Sequence, residues 1–123
     1  MYGNFYNTSK SKYKSERVQC DGIKFDSKRE CNRYVELRNL ERLGEIRDLQ
    51  LQVKYPLAKV IDGTDYMVRT PTGRCMSYFA DFVYYDKRRK KQVVEDVKGF
   101  DTKVSEIKRA IVKMFYNIDV EIY

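Results

Sequence analysis

The spacing of apolar residues predicts the main strands of the chain. Every second residue between positions 49 and 57 is apolar, which is typical of a strand that buries one face and ends near Pro56. Residues 77–85 and 92–97 have the composition of two further strands, and the basic turn between them predicts a hairpin. A last strand is expected over residues 118–123.

Two other segments predict helices. Asp26 and Ser27 are suitable N-caps for a helix over residues 28–43, and Gly44 would close it. A second helix is expected from about residue 102 to residue 115, where the apolar positions form one stripe that should be buried. That stripe consists of Val104, Ile107, Ile111, Met114 and Phe115.

The order of these elements is helix, strand, hairpin, helix, strand (α-β-β-β-α-β). It predicts an α/β fold in which helices flank a mixed central β-sheet. Residues 18–25 favour a small hairpin or loop, and residues 62–73 favour a loop around a short strand. The 123 residues suit a single domain, expected over residues 18–123 after a basic and aromatic N-terminal arm over residues 1–17. We expect no membrane partner, since no apolar run fits a transmembrane helix and the first residues lack a signal-peptide core.

Composition excludes several classes of enzyme. The chain has no histidine, so a Ser-His-Asp or Cys-His nucleophile, an HExxH metal site and a histidine-based nuclease are all excluded. Any chemistry must therefore use carboxylates, lysines and tyrosines, with or without a metal held by oxygen ligands. Three cysteines, Cys20, Cys31 and Cys75, are odd in number and far apart, which argues for a reducing compartment and against a disulfide framework or a zinc knuckle.

The net charge of +7 is concentrated in two segments. Residues 1–20 carry four Lys or Arg against one Glu, residues 86–91 carry five against one Asp, and the rest of the chain is balanced. This is typical of proteins that contact a nucleic-acid backbone, because each such contact releases counterions. A solvated turn, a frayed tail or a surface that serves solubility explains the same charges. The candidate DNA-binding residues are Lys10, Lys12, Lys14, Arg17, Lys87, Arg88, Arg89, Lys90 and Lys91.

Two aspartates interrupt the apolar runs of the predicted hairpin. Asp81 lies in the first strand, and alternation puts Asp96 and Lys98 on one face of the second. Burying two like charges is costly unless a cation compensates, and a divalent metal with a lysine would do so. Two carboxylates that hold Mg²⁺ beside a lysine that orients or deprotonates water would suit metal-assisted phosphodiester hydrolysis. A structural Asp–Lys pair at a sheet edge explains the same spacing.

A third carboxylate lies on the first predicted helix. Glu30 falls in the middle of an arc of apolar residues that includes Cys31, Tyr34 and Leu37, where a carboxylate needs a reason. One reason is a metal. The other is a capping box, because Glu30 follows Ser27 by three residues. Helical geometry leaves the two interpretations open.

These residues resemble the motif of the PD-(D/E)XK nuclease superfamily. The resemblance runs from about residue 18 to residue 123 and is to small phage-encoded proteins of that superfamily. More distantly, the chain is similar to phage Holliday junction resolvases and transposon end-cutting endonucleases. The segments that carry it are Tyr78-Phe79-Ala80-Asp81-Phe82, Val94-Glu95-Asp96-Val97-Lys98-Gly99 and Phe25-Asp26-Ser27-Lys28-Arg29-Glu30.

The resemblance implies a restriction-endonuclease-like core and a role for each residue of the motif. Asp81 matches the first acidic metal ligand, although Ala80 stands where proline is usual. Asp96 matches the second ligand, and Lys98 matches the catalytic lysine. Glu30 matches the helix glutamate that completes the metal site or positions water.

Two further polar residues lie close to this motif. Glu95 is adjacent to Asp96, so the register is ambiguous by one residue, and the same-face argument favours Asp96. Gln52 loosely matches a polar residue near the site of related nucleases and is not among the candidates.

The sequence therefore predicts a Mg²⁺-dependent DNA endonuclease, with Mn²⁺ as a substitute, that cuts branched or otherwise structured DNA. The resemblance implies products with a 5′-phosphate and a 3′-hydroxyl, in phage or mobile-element DNA recombination or processing in the bacterial cytoplasm. The small size favours a homodimer that cuts both strands symmetrically. The alternatives are a non-catalytic nucleic-acid-binding module that retains the nuclease fold, and a structural protein whose basic patch meets an acidic partner.

Overall fold

The computed structural model of the protein describes residues 9–10 and 16–123, with side chains from Arg17 onward. The chain divides into two compact units, one ending at Ile46 and the other beginning at Arg47. The expected boundary between an arm and a domain after residue 17 stays a prediction.

The first unit is a small antiparallel sheet with one helix. Its elements are β1 (Ser9–Lys10), β2 (Glu16–Cys20), β3 (Ile23–Phe25) and α1 (Lys28–Arg42). The sheet has the order β1-β2-β3, and α1 packs against β2 and β3. Of the two expectations for residues 18–25, a hairpin or a loop, the structure has the hairpin, which turns at Asp21 and Gly22, both with positive φ. The predicted helix is also confirmed: Ser27 is its N-cap, and Gly44 follows it with a φ of 78°.

The cysteines of this unit correct one expectation. Cys20 and Cys31 form a disulfide, with their Cα atoms 6.2 Å apart, which lies in the range that a disulfide spans. The spacing argument against a disulfide framework was wrong for this pair, because the hairpin and α1 bring the two residues together although they are 11 positions apart. Cys75 is free.

The second unit is built on a mixed sheet of four strands. The elements are β4 (Ile46–Pro56), β5 (Ala58–Ile61), β6 (Thr64–Met67), β7 (Ser77–Asp86), β8 (Lys91–Asp96), α2 (Lys103–Tyr116) and β9 (Glu121–Ile122). The sheet order is β4-β7-β8-β9, with β7 and β8 antiparallel and β8 and β9 parallel. Helix α2 supplies the crossover that a parallel pair requires. The predicted α/β class and the mixed central sheet are therefore confirmed, and the predicted elements follow one another as expected, with β1, β2 and β3 before them and β5 and β6 among them.

The segment 62–73, expected to be a loop around one short strand, contains the short strand β6, and the sequence did not predict that β6 pairs with β5. Strands β5 and β6 pair in antiparallel fashion and are joined at Asp62 and Gly63, whose φ angles are 50° and 76°. An Asp-Gly pair with both φ positive is the favoured two-residue hairpin turn, because its twist matches that of the strands.

The core of the second unit lies between the sheet and α2. Val53 and Tyr55 of β4 pack against it, as the alternation in that strand predicts. Its buried members are Leu57, Tyr78, Ala80, Val83, Val94 and Val112.

The expected buried face of α2 is wrong in part. Val112 and Phe115 are buried, but three members of the predicted stripe are exposed. These are Val104, Ile107 and Met114. The face of α2 that meets the sheet includes the polar residue Lys108. Its Nζ donates a hydrogen bond to the backbone oxygen of Ser77 at 3.1 Å. Tertiary contacts have thus overridden the apolar pattern.

In the described part of the chain, no helix combines the length and the apolar character needed to cross a membrane.

We expect Leu57→Ala to lower the free energy of unfolding by about 2–5 kcal/mol, measured by urea denaturation. The Leu57 side chain is fully buried, so its removal leaves a cavity in the core. Leu43→Ala is the matched control, because Leu43 is 75% exposed and its substitution should change stability by less than about 0.5 kcal/mol. Equal destabilisation of the two variants would contradict this assignment of the core.

Candidate functional site

Both aspartates of the predicted motif lie side by side on the β7–β8 hairpin. The antiparallel register pairs Phe82 with Glu95, and Asp81 and Asp96 are the next residue of each strand. Only 8% of Asp81 and 2% of Asp96 is exposed to solvent. Buried carboxylates need hydrogen bonds or a cation to be stable, so the donors around them define the site.

Neutral donors hold the carboxylate of Asp81. Its Oδ1 accepts a hydrogen bond from Gln52 Nε2 at 2.8 Å, and its Oδ2 accepts one from the backbone N–H of Val97 at 2.9 Å. The first donor comes from β4 and the second from the end of β8. Asp81 is therefore fixed by both neighbouring strands.

Gln52 is a site residue that the predicted set lacked. Its φ of 52° is unusual for a residue with a side chain, and such backbone conformations cluster at functional sites. The sequence offered only a loose family match, because a left-handed residue inside a strand leaves no trace in the alternation of β4.

Asp96 is held by a hydroxyl and an ammonium group. Tyr78 Oη donates a hydrogen bond to Asp96 Oδ2, and Lys98 Nζ lies 3.2 Å from the same oxygen. The contact with Lys98 is the one that the same-face argument predicted. Burial raises the pKa of Tyr78, as does its hydrogen bond with Asp96, so the phenol stays protonated as a donor.

Glu95 has different neighbours. Its Oε1 accepts a hydrogen bond from Tyr84 Oη at 2.9 Å, and only 3% of the residue is exposed. The carboxylate that Lys98 contacts is that of Asp96. The geometry thus favours Asp96 over Glu95 as the acidic residue of the motif.

Residue Tyr123, directly after the edge strand β9, is hydrogen bonded to the backbone of residues 96–98. The backbone N–H of Tyr123 donates to the oxygen of Asp96 at 2.9 Å, and the N–H of Lys98 donates to the oxygen of Tyr123 at 3.3 Å. The backbone on both sides of Val97 is therefore fixed by hydrogen bonds.

The donor set of the hairpin suits a hard cation. Across the residues that the structure describes, no three Cys, Asp or Glu side chains are grouped closely enough to hold a metal. Mg²⁺, however, commonly binds one or two carboxylates and completes its shell with water and substrate phosphates. Asp81 and Asp96 fit that requirement as a pair.

Glu30 belongs to the first unit, where the structure shows its capping role. Its backbone N–H donates to Ser27 Oγ at 3.1 Å, and its Oε2 accepts from the N–H of Asp26 at 3.3 Å. The capping interpretation is confirmed, with the glutamate reaching one residue beyond the cap. The role of Glu30 as a metal ligand stays a prediction.

The basic turn between β7 and β8 is partly neutralised. Arg89 forms a two-pronged ion pair with Glu121 of β9, and Lys91 Nζ lies 3.6 Å from the same carboxylate. Within the described ranges, the exposed residues Lys87, Arg88 and Lys90 have no carboxylate partner. Three of the five predicted cations are thus available to a ligand.

The predicted cations of the N-terminal arm are less defined. The side chain of Lys10, and Lys12 and Lys14 altogether, lie outside the described residues. Arg17 is exposed, and its guanidinium lies 3.9 Å from the carboxylate of Asp26.

We expect Glu30→Gln to keep the helix cap, because its amide oxygen can still accept a hydrogen bond from the N–H of Asp26. If Glu30 binds metal, the same substitution should abolish the cleavage that the sequence predicts. Ser27→Ala should instead cost about 1 kcal/mol of stability and leave cleavage intact, because it removes only the cap acceptor. Thermal unfolding and a cleavage assay of both variants test this separation. Full activity in Glu30→Gln would show that the residue serves only as a cap.

Comparison with known proteins identifies a family without a described role. No curated protein and no solved structure matches the chain significantly. A family model described as a protein of unknown function, DUF1064, matches residues 10–122. Because this match covers nearly the whole sequence, the protein belongs to the DUF1064 family.

Proposed function

We propose that this protein is a metal-dependent DNA endonuclease that hydrolyses phosphodiester bonds in branched or structured DNA. The observation that carries the proposal is the buried pair Asp81 and Asp96 on one hairpin, with Lys98 Nζ 3.2 Å from Asp96. The order of elements around the hairpin is the one that the resemblance to PD-(D/E)XK nucleases implies, and it supports a restriction-endonuclease-like core.

Each side chain has a defined task in this proposal. Asp81 and Asp96 would hold Mg²⁺ or Mn²⁺, and the bound ion would polarise the phosphoryl group. Gln52 keeps Asp81 in position through its 2.8 Å hydrogen bond. Tyr78 does the same for Asp96 through its protonated hydroxyl.

Lys98 is the proposed residue that acts on water. Its Nζ lies beside Asp96, where it orients or deprotonates the attacking water and offsets the negative charge that develops on the phosphate. The family resemblance favours a 5′-phosphate and a 3′-hydroxyl as products.

The biological setting belongs to the same proposal. By its resemblance to phage resolvases, the protein would process Holliday junctions or other recombination intermediates of phage or mobile-element DNA in the bacterial cytoplasm. A homodimer would place two such sites on the two strands of a junction.

One observation favours a non-catalytic nucleic-acid-binding module. Asp81 and Asp96 have protein donors on their carboxylates, so their charge is accommodated without a metal. A protein that retained the fold only to bind DNA would present this same hydrogen-bond network.

We expect Lys98→Ala to abolish cleavage of a labelled panel of four-way junction, flap, single strand and duplex in Mg²⁺ or Mn²⁺. DNA affinity in EDTA should stay within about twofold of wild type, since one weakly exposed lysine contributes little to backbone binding. Addition of EDTA should stop the wild type.

Lys103→Ala is the control for that substitution, because the Lys103 side chain is 89% exposed and lies outside the site. It should cut like wild type. A panel that neither wild type nor Lys98→Ala cuts, with equal binding by both, would overturn the endonuclease in favour of the binding module.

We expect the triple variant Lys87→Ala, Arg88→Ala, Lys90→Ala to weaken duplex binding equally for unrelated sequences. The slope of log affinity against log salt should fall by about 2.7, at about 0.9 for each phosphate that the variant no longer neutralises. The pair Arg89→Ala, Lys91→Ala should change the slope less, because Glu121 already neutralises those residues. An unchanged slope in the triple variant would exclude the turn from the DNA interface.

A further inference from the structure

A groove in the second unit carries positive charge and an exposed aromatic ring. We name it the basic groove. It has a volume of about 380 Å³, within the usual range for ligand sites, and its lining includes Lys54, Arg74, Lys108, Phe79, Ser77 and Thr70. These residues come from β4, from β7 and the segment before it, and from α2.

The charge of the basic groove is of one sign. Lys54, Arg74 and Lys108 line it, and no Asp or Glu is among its described lining residues. Lys54 and Arg74 are exposed, and neither has a carboxylate partner within the described chain. Lys108 is anchored by its hydrogen bond to the Ser77 oxygen. An unneutralised group of cations in a concave site attracts anions, and phosphate in particular.

Phe79 gives the basic groove a second property. It is 50% exposed, although its neighbours Tyr78 and Ala80 on β7 are buried. An aromatic face beside cations is the combination that binds single-stranded nucleic acid, because bases stack on the ring while phosphates meet the cations. A paired base inside a duplex offers no free face for such stacking.

The basic groove adjoins the proposed catalytic hairpin. Phe79 lies two residues before Asp81 on β7, and Lys54 lies two residues after Gln52 on β4. Gln52 and Asp81 are hydrogen bonded to each other. Two residues along a strand span about 7 Å, so the groove begins roughly that distance from the carboxylate pair.

We propose that the basic groove binds an unpaired stretch of the DNA substrate next to the cut, with a base stacked on Phe79 and phosphates on Lys54 and Arg74. This inference rests on the proposed endonuclease and names its substrate class as DNA with a single-stranded segment beside the scissile bond. A flap or an opened junction has such a segment, and a continuous duplex does not.

The test is fluorescence anisotropy in EDTA, where no cutting occurs, with a single-stranded oligonucleotide, a flap and a continuous duplex. Phe79→Ala should weaken binding of the single strand and the flap by about 5- to 100-fold, the range for removal of one base–aromatic stack. Duplex affinity should not change. Phe79→Leu, which keeps apolar volume without an aromatic face, should be weakened to the same extent, and Phe79→Tyr should restore binding.

Tyr66→Ala is the matched control, since Tyr66 is also 50% exposed but lies on β6, outside the groove lining. The double variant Lys54→Ala, Arg74→Ala should lower the single-strand salt slope by about 1.4, at about 0.7 for each phosphate that the variant no longer neutralises. The double variant Lys103→Ala, Lys113→Ala removes the same amount of charge outside the basic groove and should not lower the single-strand salt slope.

Three outcomes would overturn the inference. In the first, Phe79→Ala or Phe79→Leu binds single strand and flap like Tyr66→Ala. In the second, the affinity for duplex falls equally. In the third, polyglutamate competes with the oligonucleotide equally in wild type and Phe79→Leu, which would mark a general anion site.

Cleavage in Mg²⁺ separates this inference from the endonuclease. If the wild type cuts nothing while Phe79→Leu still has reduced single-strand affinity, the endonuclease fails and the groove stands. If the wild type cuts the flap and Phe79→Leu binds and cuts like Tyr66→Ala, the endonuclease stands and the groove fails.

Discussion

The burial of two carboxylates in one hairpin is the constraint on which the rest of the second unit depends. Asp81 and Asp96 are nearly inaccessible to water, so each must be hydrogen bonded in the folded protein. The donors are the side-chain amide of Gln52 on β4, the backbone N–H of Val97 just after β8, and the hydroxyl of Tyr78. The two carboxylates therefore link β4, β7 and β8 by hydrogen bonds that add to the backbone hydrogen bonds of the sheet.

This arrangement explains one irregular position of the sheet. Gln52 adopts a left-handed backbone within β4, which costs free energy, and its amide reaches Asp81 from there. Lys98 follows the end of β8 and still lies beside Asp96. The left-handed backbone at Gln52 thus occurs at a residue that contacts one of the carboxylates.

Local signals in the sequence were enough to predict the main helices and strands, but not to predict which face of each helix is buried. Ser27 and Gly44 delimit α1, and alternation identifies β4, because caps and strand periods act over a few residues. The side of α2 that meets the sheet was predicted incorrectly, since Lys108 and Val112 make tertiary contacts that no periodicity encodes. For the site, the alternation correctly placed Asp96 and Lys98 together. The hydrogen bond between Gln52 and Asp81 joins residues 29 positions apart in the sequence, and only a loose family match pointed to Gln52.

The parallel strand β9 links the order of folding to the geometry of the site. Tyr123 fixes the backbone of Asp96 and Lys98, and it reaches them only after α2 has crossed back to the sheet edge. The β7–β8 hairpin needs only local contacts, whereas the β8–β9 pair closes a long loop, which is the slower event. We therefore expect the spacing of the carboxylate and the ammonium group to become fixed only when β9 has paired with β8, since the hydrogen bonds of Tyr123 form at that step.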